Sequence, residues 1–381
     1  MNQELGLKIL SYIMAWSDDR ARTEFAWLRL MARFKYDDYS DFLAGVRFIE
    51  SLATWLQQFS PAERETAYGF VREELVYIGP AEMQRLVELF YPRVVQSRLQ
   101  WSVGTRLGVP KYRVWADTAA AAEFDRLKRK TLFMALSEGA RIDILRHLNV
   151  GTLTNEQFVV ATQVDPEKWQ DLLKNLREDL NDAGAKFAIV YLIDDFMGTG
   201  TSFLRYDNQK AKWKGKLMRF RDSVAHAAQV LGGVMPFEDD WELCVHHYLA
   251  GHQAATAIQG REAEARASLG EASWFRAVHF SFGMTLPETL PIDRDPARHG
   301  AMLDLTQKYY DPILRTKHTD VGGATHLGLG YGGCALPLVL EHNTPNNAVA
   351  LLWAETDGGE REGDVIAPAM RPLFRRRQRH S

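Results

Sequence analysis

The sequence predicts an α/β fold in which a parallel sheet follows a helical N-terminal region. Apolar residues recur at helical spacing in the first third of the chain, for example along residues 48–59. Beyond residue 131, short apolar runs alternate with helical stretches, as expected of strands joined by crossover helices. The run 187–193, FAIVYLI, has no polar alternation, which is typical of a central strand covered by helices on both faces.

Composition places the chain among ordinary globular proteins. It has 381 residues, 46% hydrophobic and 25% charged, with a formal net charge of −3. That charge gives no global field to attract nucleic acid or an anionic membrane. Two cysteines are too few for a disulfide framework, and the N-terminus lacks the pattern of a secretory signal. We therefore expect a cytoplasmic protein without a membrane segment.

The first region, residues 1–125, is predicted to be helical. Ser60-Pro61-Ala62-Glu63 has the spacing of a capping box with proline at the first helical position, so a helix should begin there. Gly79-Pro80 should end that helix, and residues 81–91 should form the next one. Composition alone leaves open whether this region is a lid, an oligomerisation surface or a dock for a partner.

Residues 126–365 are predicted to form the α/β domain. Asp165-Pro166 should start a helix, and two further helices are predicted at 253–267 and 301–310. The predicted strands cover residues 131–136, 187–193, 243–249, 275–284, 335–340 and 348–354. The remaining tail, 366–381, contains four arginines within residues 375–379 and is predicted to be disordered. We expect nucleic-acid contact only through this tail or through a partner.

A loop suited to phosphate follows the strand predicted at 187–193. The chain continues as DDFMGTGTS, in which Asp194 and Asp195 precede a segment of glycines and hydroxyl side chains: Gly198, Thr199, Gly200, Thr201 and Ser202. Such a segment allows successive backbone N–H groups to surround an anion, and a helix beginning near Ser202 would add its dipole. Two buried carboxylates need a cation or hydroxyl groups, and a ribose beside a divalent ion supplies both.

Other interpretations of this loop fit less well. The acids could simply end the strand, with the glycines forming an ordinary turn. A Walker A loop requires Lys-Ser/Thr after its second glycine, and a dinucleotide fingerprint requires a third glycine at fixed spacing. Neither pattern is present in residues 194–202.

Residues 190–202 resemble the phosphoribosyl-pyrophosphate (PRPP) signature of type I phosphoribosyltransferases. Two positions depart from it, because Phe196 is bulkier than usual and Gly198 replaces a small hydroxyl residue or alanine. The resemblance implies that Asp194 and Asp195 hold the ribose hydroxyls and take part in catalysis. It also implies Mg²⁺ (magnesium), bound by these acids directly or through PRPP. The loop at 198–202 would then bind the 5′-phosphate.

Two further segments make the resemblance to type I phosphoribosyltransferases more specific. Ser137, Glu138, Gly139 and Arg141 follow the strand predicted at 131–136, where type I enzymes place the pyrophosphate loop. Arg141 would clamp pyrophosphate or lie on a solvated helix face. A second polar cluster, which would act in the site or form a turn, contains His342, Asn343 and Asn346. His342 is the side chain in it suited to proton transfer near neutral pH.

With its helical N-terminal region, the chain resembles the phosphoribosyltransferase-like proteins of bacterial conflict systems, PRTase-CE, including some retron-associated effectors. The resemblance implies a parallel-sheet core like that of type I phosphoribosyltransferases, and a role in antiviral defence. It also implies a partner, such as a reverse transcriptase or regulator, that contacts the N-terminal helices. The acceptor of the phosphoribosyl group is not implied.

Two rival functions would use the same ribose-binding residues. One is a binding module that senses PRPP or a nucleotide without turnover. The other is an N-glycosidase that cleaves NAD or a nucleotide with water as the acceptor, for which Glu138 or another carboxylate would position the water. Zinc binding by His246, His247 and His252 is not favoured, because adjacent strand residues point to opposite faces and no further ligand spacing completes a site.

Overall fold

The computed structural model describes residues 3–162, 164–270, 274–320, 322–324, 326–362 and 365–376. Two compact units make up the chain. The helical unit comprises Met1–Glu82 and Pro287–Ser381, and the sheet unit comprises Met83–Leu286. These bounds differ from the predicted division at residues 125 and 365, because residues 83–125 cluster with the sheet and residues 287–365 cluster with the N-terminal helices.

The strands differ in length and partners. In chain order they are β1 (Val76–Ile78), β2 (Thr131–Ala135), β3 (Phe158–Val159), β4 (Phe187–Met197), β5 (Arg205–Asp207), β6 (Lys212–Lys214), β7 (Phe237–Ala250), β8 (Val278–Thr285), β9 (Leu338–Leu340), β10 (Gly359–Arg361) and β11 (Val365–Ala367).

Helices precede and separate these strands along the chain. In chain order they are α1 (Gln3–Met14), α2 (Asp18–Phe34), α3 (Phe48–Gln57), α4 (Arg64–Glu73), α5 (Pro80–Leu89), α6 (Gln96–Leu107), α7 (Thr118–Arg129), α8 (Ile142–Leu148), α9 (Pro166–Leu180), α10 (Lys216–Val230), α11 (His252–Leu269), α12 (Pro296–Lys308), α13 (Lys317–Asp320) and α14 (Ala350–Trp353). Within the described ranges, no helix combines the length and apolarity needed to cross a bilayer.

The sheet unit contains a five-stranded parallel sheet with the order β3-β2-β4-β7-β8. The predicted α/β fold with a parallel sheet is therefore confirmed. β4 is central, and its residues from Phe187 to Asp194 are all buried, which explains its uninterrupted apolar sequence. One face packs against α9, which begins as predicted at Asp165-Pro166, where the Asp165 carboxylate accepts the Lys168 N–H at 2.7 Å.

The helical unit contains a short parallel pair, β1 with β9. Residues 335–340, predicted as a strand, thus pair with Val76–Ile78 instead of joining the five-stranded sheet. The strand predicted at 348–354 is wrong, because α14 forms there and Ala354 N–H donates to Ala350 O at 2.8 Å. A short apolar run is compatible with either element when both are fully buried.

The tail was predicted to be disordered, and this is wrong for the part of residues 366–376 that packs into the core. Leu373 and Phe374 are both fully buried. The Phe374 ring lies 5.8 Å from that of Phe48 and 5.2 Å from that of Tyr39, measured between centroids. The sequence did not reveal the burial of Leu373 and Phe374, because the neighbouring arginines made the segment resemble an exposed polar tail. Residues 377–381 lie outside the described part.

We expect Phe374→Ala to lower the free energy of unfolding by about 3–5 kcal/mol, because it leaves a cavity between aromatic rings. The matched control is Ile366→Ala, which removes an 80% exposed side chain from the same segment and should change stability by less than about 0.5 kcal/mol. Chemical denaturation monitored by circular dichroism measures both. Equal, small effects would contradict an ordered tail.

Candidate functional site

The central strand continues through the acidic pair. β4 ends at Met197, beyond the predicted end at residue 193, because its ladder with β7 pairs Asp194 with His247 and Met197 with Ala250. The two acids therefore occupy adjacent positions on a regular strand and face opposite sides of the sheet. Each acid consequently has its own surroundings.

Asp194 is held by two donors from elsewhere in the sheet unit. The Ser137 hydroxyl, which follows β2, donates to Oδ1, and the Lys216 ammonium, at the start of α10, donates to Oδ2. Asp194 is only 4% exposed. The imidazole Nε2 of His247 lies 4.0 Å from Oδ2. Both carboxylate oxygens thus have protein partners.

Burial dominates the electrostatics around Asp194. It raises the pKa of Asp194 to about 6, against the opposing effects of Lys216 and Ser137. Burial, reinforced by the Lys216 charge, lowers the pKa of His247 to about 3. The imidazole is therefore neutral at physiological pH, and its Nδ1 has no hydrogen-bond partner within the described residues. Lys216 is the main charge that opposes the raised pKa of Asp194.

Asp195 faces the turn that follows β2. A Cβ added to Gly139 would overlap the Asp195 carboxylate, so the carboxylate can keep this position only beside glycine. Tyr248 OH donates to Ala140 O at 3.1 Å and fixes the turn. The next residue, Arg141, has φ of +48° before α8 begins. Burial lowers the Arg141 pKa, and the charge of Asp195 opposes this effect.

The predicted site residues within 137–141 thus lie next to the acidic pair. Ser137 contacts Asp194, and Gly139 approaches Asp195. Glu138, by contrast, is exposed at the surface of the turn. The proximity of two loops that are 57 residues apart in sequence results from the parallel pairing of β2 with β4.

The loop at residues 198–202 has its own internal bonds. The hydroxyl oxygens of Thr199 and Thr201 lie 3.0 Å apart, and Gly200 has φ of +74°. Arginine side chains bond the carbonyl oxygens: Arg261 Nη1 donates to Thr199 O at 3.0 Å, and Arg205 Nη1 donates to Thr201 O at 3.0 Å. These bonds fix the loop backbone through its carbonyl groups.

The described segment directly after Ser202 is not helical, so the condition of a helix dipole at Ser202 is not met. The antiparallel hairpin β5–β6 comes first, and α10 begins only at Lys216. The start of α10 nevertheless returns to the loop, because Lys216 N–H donates to Ser202 O at 3.0 Å and Leu217 N–H donates to Phe203 O at 3.1 Å. The helix therefore contacts the end of the loop with its first two amides.

The predicted residues His342, Asn343 and Asn346 belong to the helical unit. They form a turn after β9, in which Asn343 N–H donates to Leu340 O at 3.0 Å. The ring Nδ1 of His342 lies 3.0 Å from Glu341 Oε1, and Asn346 O accepts the Tyr331 N–H at 2.6 Å. A role of His342 in proton transfer, and of the asparagines in ligand binding, stays a prediction.

Sequence reasoning missed Lys216 and the position of His247 beside Asp194. Lys216 is separated from the loop by the hairpin, so no local spacing connects it to the acids. The pair Gly215-Lys216 at the start of an amphipathic stretch was the available signal. Within the described residues, no group of three or more His, Cys, Asp or Glu side chains is arranged to hold a metal ion.

We expect Lys216→Met to raise the Asp194 pKa above its present value of about 6 by roughly 1 pH unit or more, because an adjacent cation favours the ionised carboxylate. Lys214→Met is the matched control, since it removes a lysine that pairs with Asp207 in the hairpin. Carboxyl ¹³C NMR titration of aspartate-labelled protein measures the shift, with Asp194→Asn identifying the signal. An unchanged titration in Lys216→Met would contradict the ion pair.

Comparison with known proteins gives one family match. A family model described as PRTase-CE matches residues 52–376, which is most of the chain. No curated protein gives a significant match. No solved structure does so either.

Proposed function

Since the chain belongs to the PRTase-CE family, we propose that it binds PRPP through the β4 acids and the following loop, and transfers the phosphoribosyl group. The observation that supports this most directly is the acidic pair at the carboxyl end of the central strand, with residues 137–141 and 198–202 next to it. In open α/β sheets, ligands bind beyond the carboxyl ends of the strands. A ribose with phosphate groups at both ends matches this set of carboxylates and loops.

The proposed roles follow from what each segment offers. Residues 198–202 receive the 5′-phosphate, and Asp194 and Asp195 accept hydrogen bonds from the ribose hydroxyls. The turn containing Gly139 and Arg141 lies beside Asp195 and would receive the pyrophosphate, whose charge suits an arginine. This arrangement fixes the ribose from three sides, and such positioning lowers the barrier to transfer.

In the proposed reaction, the bond between ribose C1 and the pyrophosphate oxygen breaks, and pyrophosphate leaves with the electron pair. A nucleophilic atom of the acceptor forms the new bond to C1 and loses its proton. Positive charge develops on the ribose ring, and the carboxylates of Asp194 and Asp195 would stabilise it electrostatically.

Mg²⁺ is proposed to enter with PRPP. It would neutralise the leaving pyrophosphate, and it prefers oxygen ligands. Both acids have protein donors, since Asp194 accepts from Ser137 and Lys216 and Asp195 accepts from the Phe196 N–H at 2.8 Å. Asp195 Oδ2 is directed at the Gly139 turn, which is proposed to receive the pyrophosphate, so Asp195 is the acid proposed to lie nearer the metal.

The biological setting is also a proposal. The family resemblance supports a role in antiviral defence, in which a partner protein contacts the N-terminal helices. Large apolar side chains on these helices are exposed, including Tyr12 at 89% and Phe34 at 69%, and such side chains favour protein contact.

Calorimetry with PRPP and Mg²⁺ tests the proposed function. Wild-type protein should bind, and Asp195→Asn should weaken binding at least about tenfold by removing a charge-assisted hydrogen bond. Asp207→Asn, which disrupts a lysine–aspartate pair in the hairpin, is the control and should bind like wild type. Absence of binding by wild type would contradict the proposal.

Activity assays on the same protein separate the rival functions. Pyrophosphate release with cell extract as the source of acceptor supports a transferase. PRPP binding without such release would favour the sensor, and loss of NAD without PRPP would favour the N-glycosidase.

Gly139→Ala should weaken PRPP binding at least about tenfold, because the added methyl group would displace the Asp195 carboxylate. Gly260→Ala in α11 is the control, since its methyl group would meet no described side chain within 4 Å and alanine favours a helix. Calorimetry gives the affinities, and thermal melting confirms that both variants fold. Wild-type affinity in Gly139→Ala would exclude the proposed role of this turn.

A further inference from the structure

Lys216 joins the two halves of the site. Its backbone N–H donates to Ser202 O at 3.0 Å, which fixes the base of the side chain at the end of the phosphate loop. Its ammonium donates to Asp194 Oδ2. The side chain therefore extends from the loop at 198–202 to the acid that is proposed to bind the ribose.

The same contact places a protein donor on each oxygen of the Asp194 carboxylate. Ser137 occupies Oδ1, Lys216 occupies Oδ2, and the residue is 4% exposed. Because Asp194 is so little exposed, a ribose hydroxyl can reach its carboxylate only if one of these donors moves aside. Lys216 is the better candidate to move, because its long side chain has four rotatable bonds and its charge is attracted to any phosphate in the loop.

Other cations near the loop have different partners. Arg205 and Arg261 donate to carbonyl oxygens of the loop, at Thr201 and at Thr199 and Leu204. These bonds direct the two guanidinium groups toward the loop carbonyls. Lys216, in contrast, contacts a carboxylate at the site itself, where an incoming phosphate competes for it.

We propose that Lys216 makes the site selective for 5′-phosphorylated ribose: the 5′-phosphate takes the Lys216 ammonium from Asp194, and the freed carboxylate oxygen accepts a ribose hydroxyl. The inference rests on the proposed function and adds the residue that determines selectivity for the 5′-phosphate. Phosphate and ribose recognition are then coupled through one lysine. A ribose without the 5′-phosphate leaves the Lys216–Asp194 pair in place and binds weakly.

The test compares three ligands by calorimetry: PRPP with Mg²⁺, ribose 5-phosphate, and inorganic pyrophosphate with Mg²⁺. In Lys216→Met, the affinities for PRPP and ribose 5-phosphate should fall about 10- to 100-fold, as expected for the loss of one charge-assisted hydrogen bond. Pyrophosphate affinity should change less than about twofold. Lys214→Met, which removes the lysine bonded to Asp207, should bind all three ligands like wild type.

Lys216→Met removes the cationic partner of Asp194 and could disturb folding. The Asp194→Asn variant therefore serves as a second background for the same test. In Asp194→Asn protein the buried charge is absent, so adding Lys216→Met leaves no unpaired carboxylate there. The additional change should still weaken ribose 5-phosphate binding about 10-fold or more, because the phosphate contact itself is lost. An effect of Lys216→Met that disappears in this background would show that Lys216 acts only on Asp194, and would overturn the inference.

The remaining outcomes separate this inference from the function on which it rests. Equal ribose 5-phosphate affinity in wild type and Lys216→Met, with PRPP binding intact, overturns the role of Lys216 alone. A loss confined to PRPP and pyrophosphate would place the lysine at the leaving group and also overturn it. Failure of wild type to bind PRPP would overturn both the inference and the proposed function.

Discussion

A buried carboxylate, Asp194, is the constraint on which the arrangement of the site depends. Burying an ionised carboxylate is unfavourable by several kcal/mol unless donors satisfy it. Here Ser137 from the turn after β2 and Lys216 from the start of α10 supply those donors. Three segments distant in sequence therefore converge on one side chain. Removing Lys216 would leave the Asp194 charge without its cationic partner.

The regular strand through Asp194 and Asp195 gives the two acids different surroundings. Because neighbours on a strand face opposite sides, Asp194 lies among buried donors, whereas Asp195 approaches the turn at Gly139. One carboxylate is thereby held in place by the protein, and the other lies next to the segment proposed to receive pyrophosphate. A ribose between them would contact a fixed acceptor and a second acid beside the leaving group.

The sequence allowed prediction of the features that depend on local pattern. The apolar run of β4 and the Asp165-Pro166 start of α9 were recognisable because burial on both faces and helix capping leave local signals. Lys216 was not, because the β5–β6 hairpin separates it from the loop and its partner is determined by tertiary packing. The strand predicted at 348–354 failed for a related reason, since a short buried apolar run is compatible with α14.

A crystal structure of the protein with PRPP and Mg²⁺ tests the central claim most directly. The claim predicts the 5′-phosphate at residues 198–202, the ribose hydroxyls on the carboxylates of Asp194 and Asp195, and the Lys216 ammonium on the phosphate. PRPP bound elsewhere in the protein, or bound with both carboxylates directed away from the ribose, would contradict it.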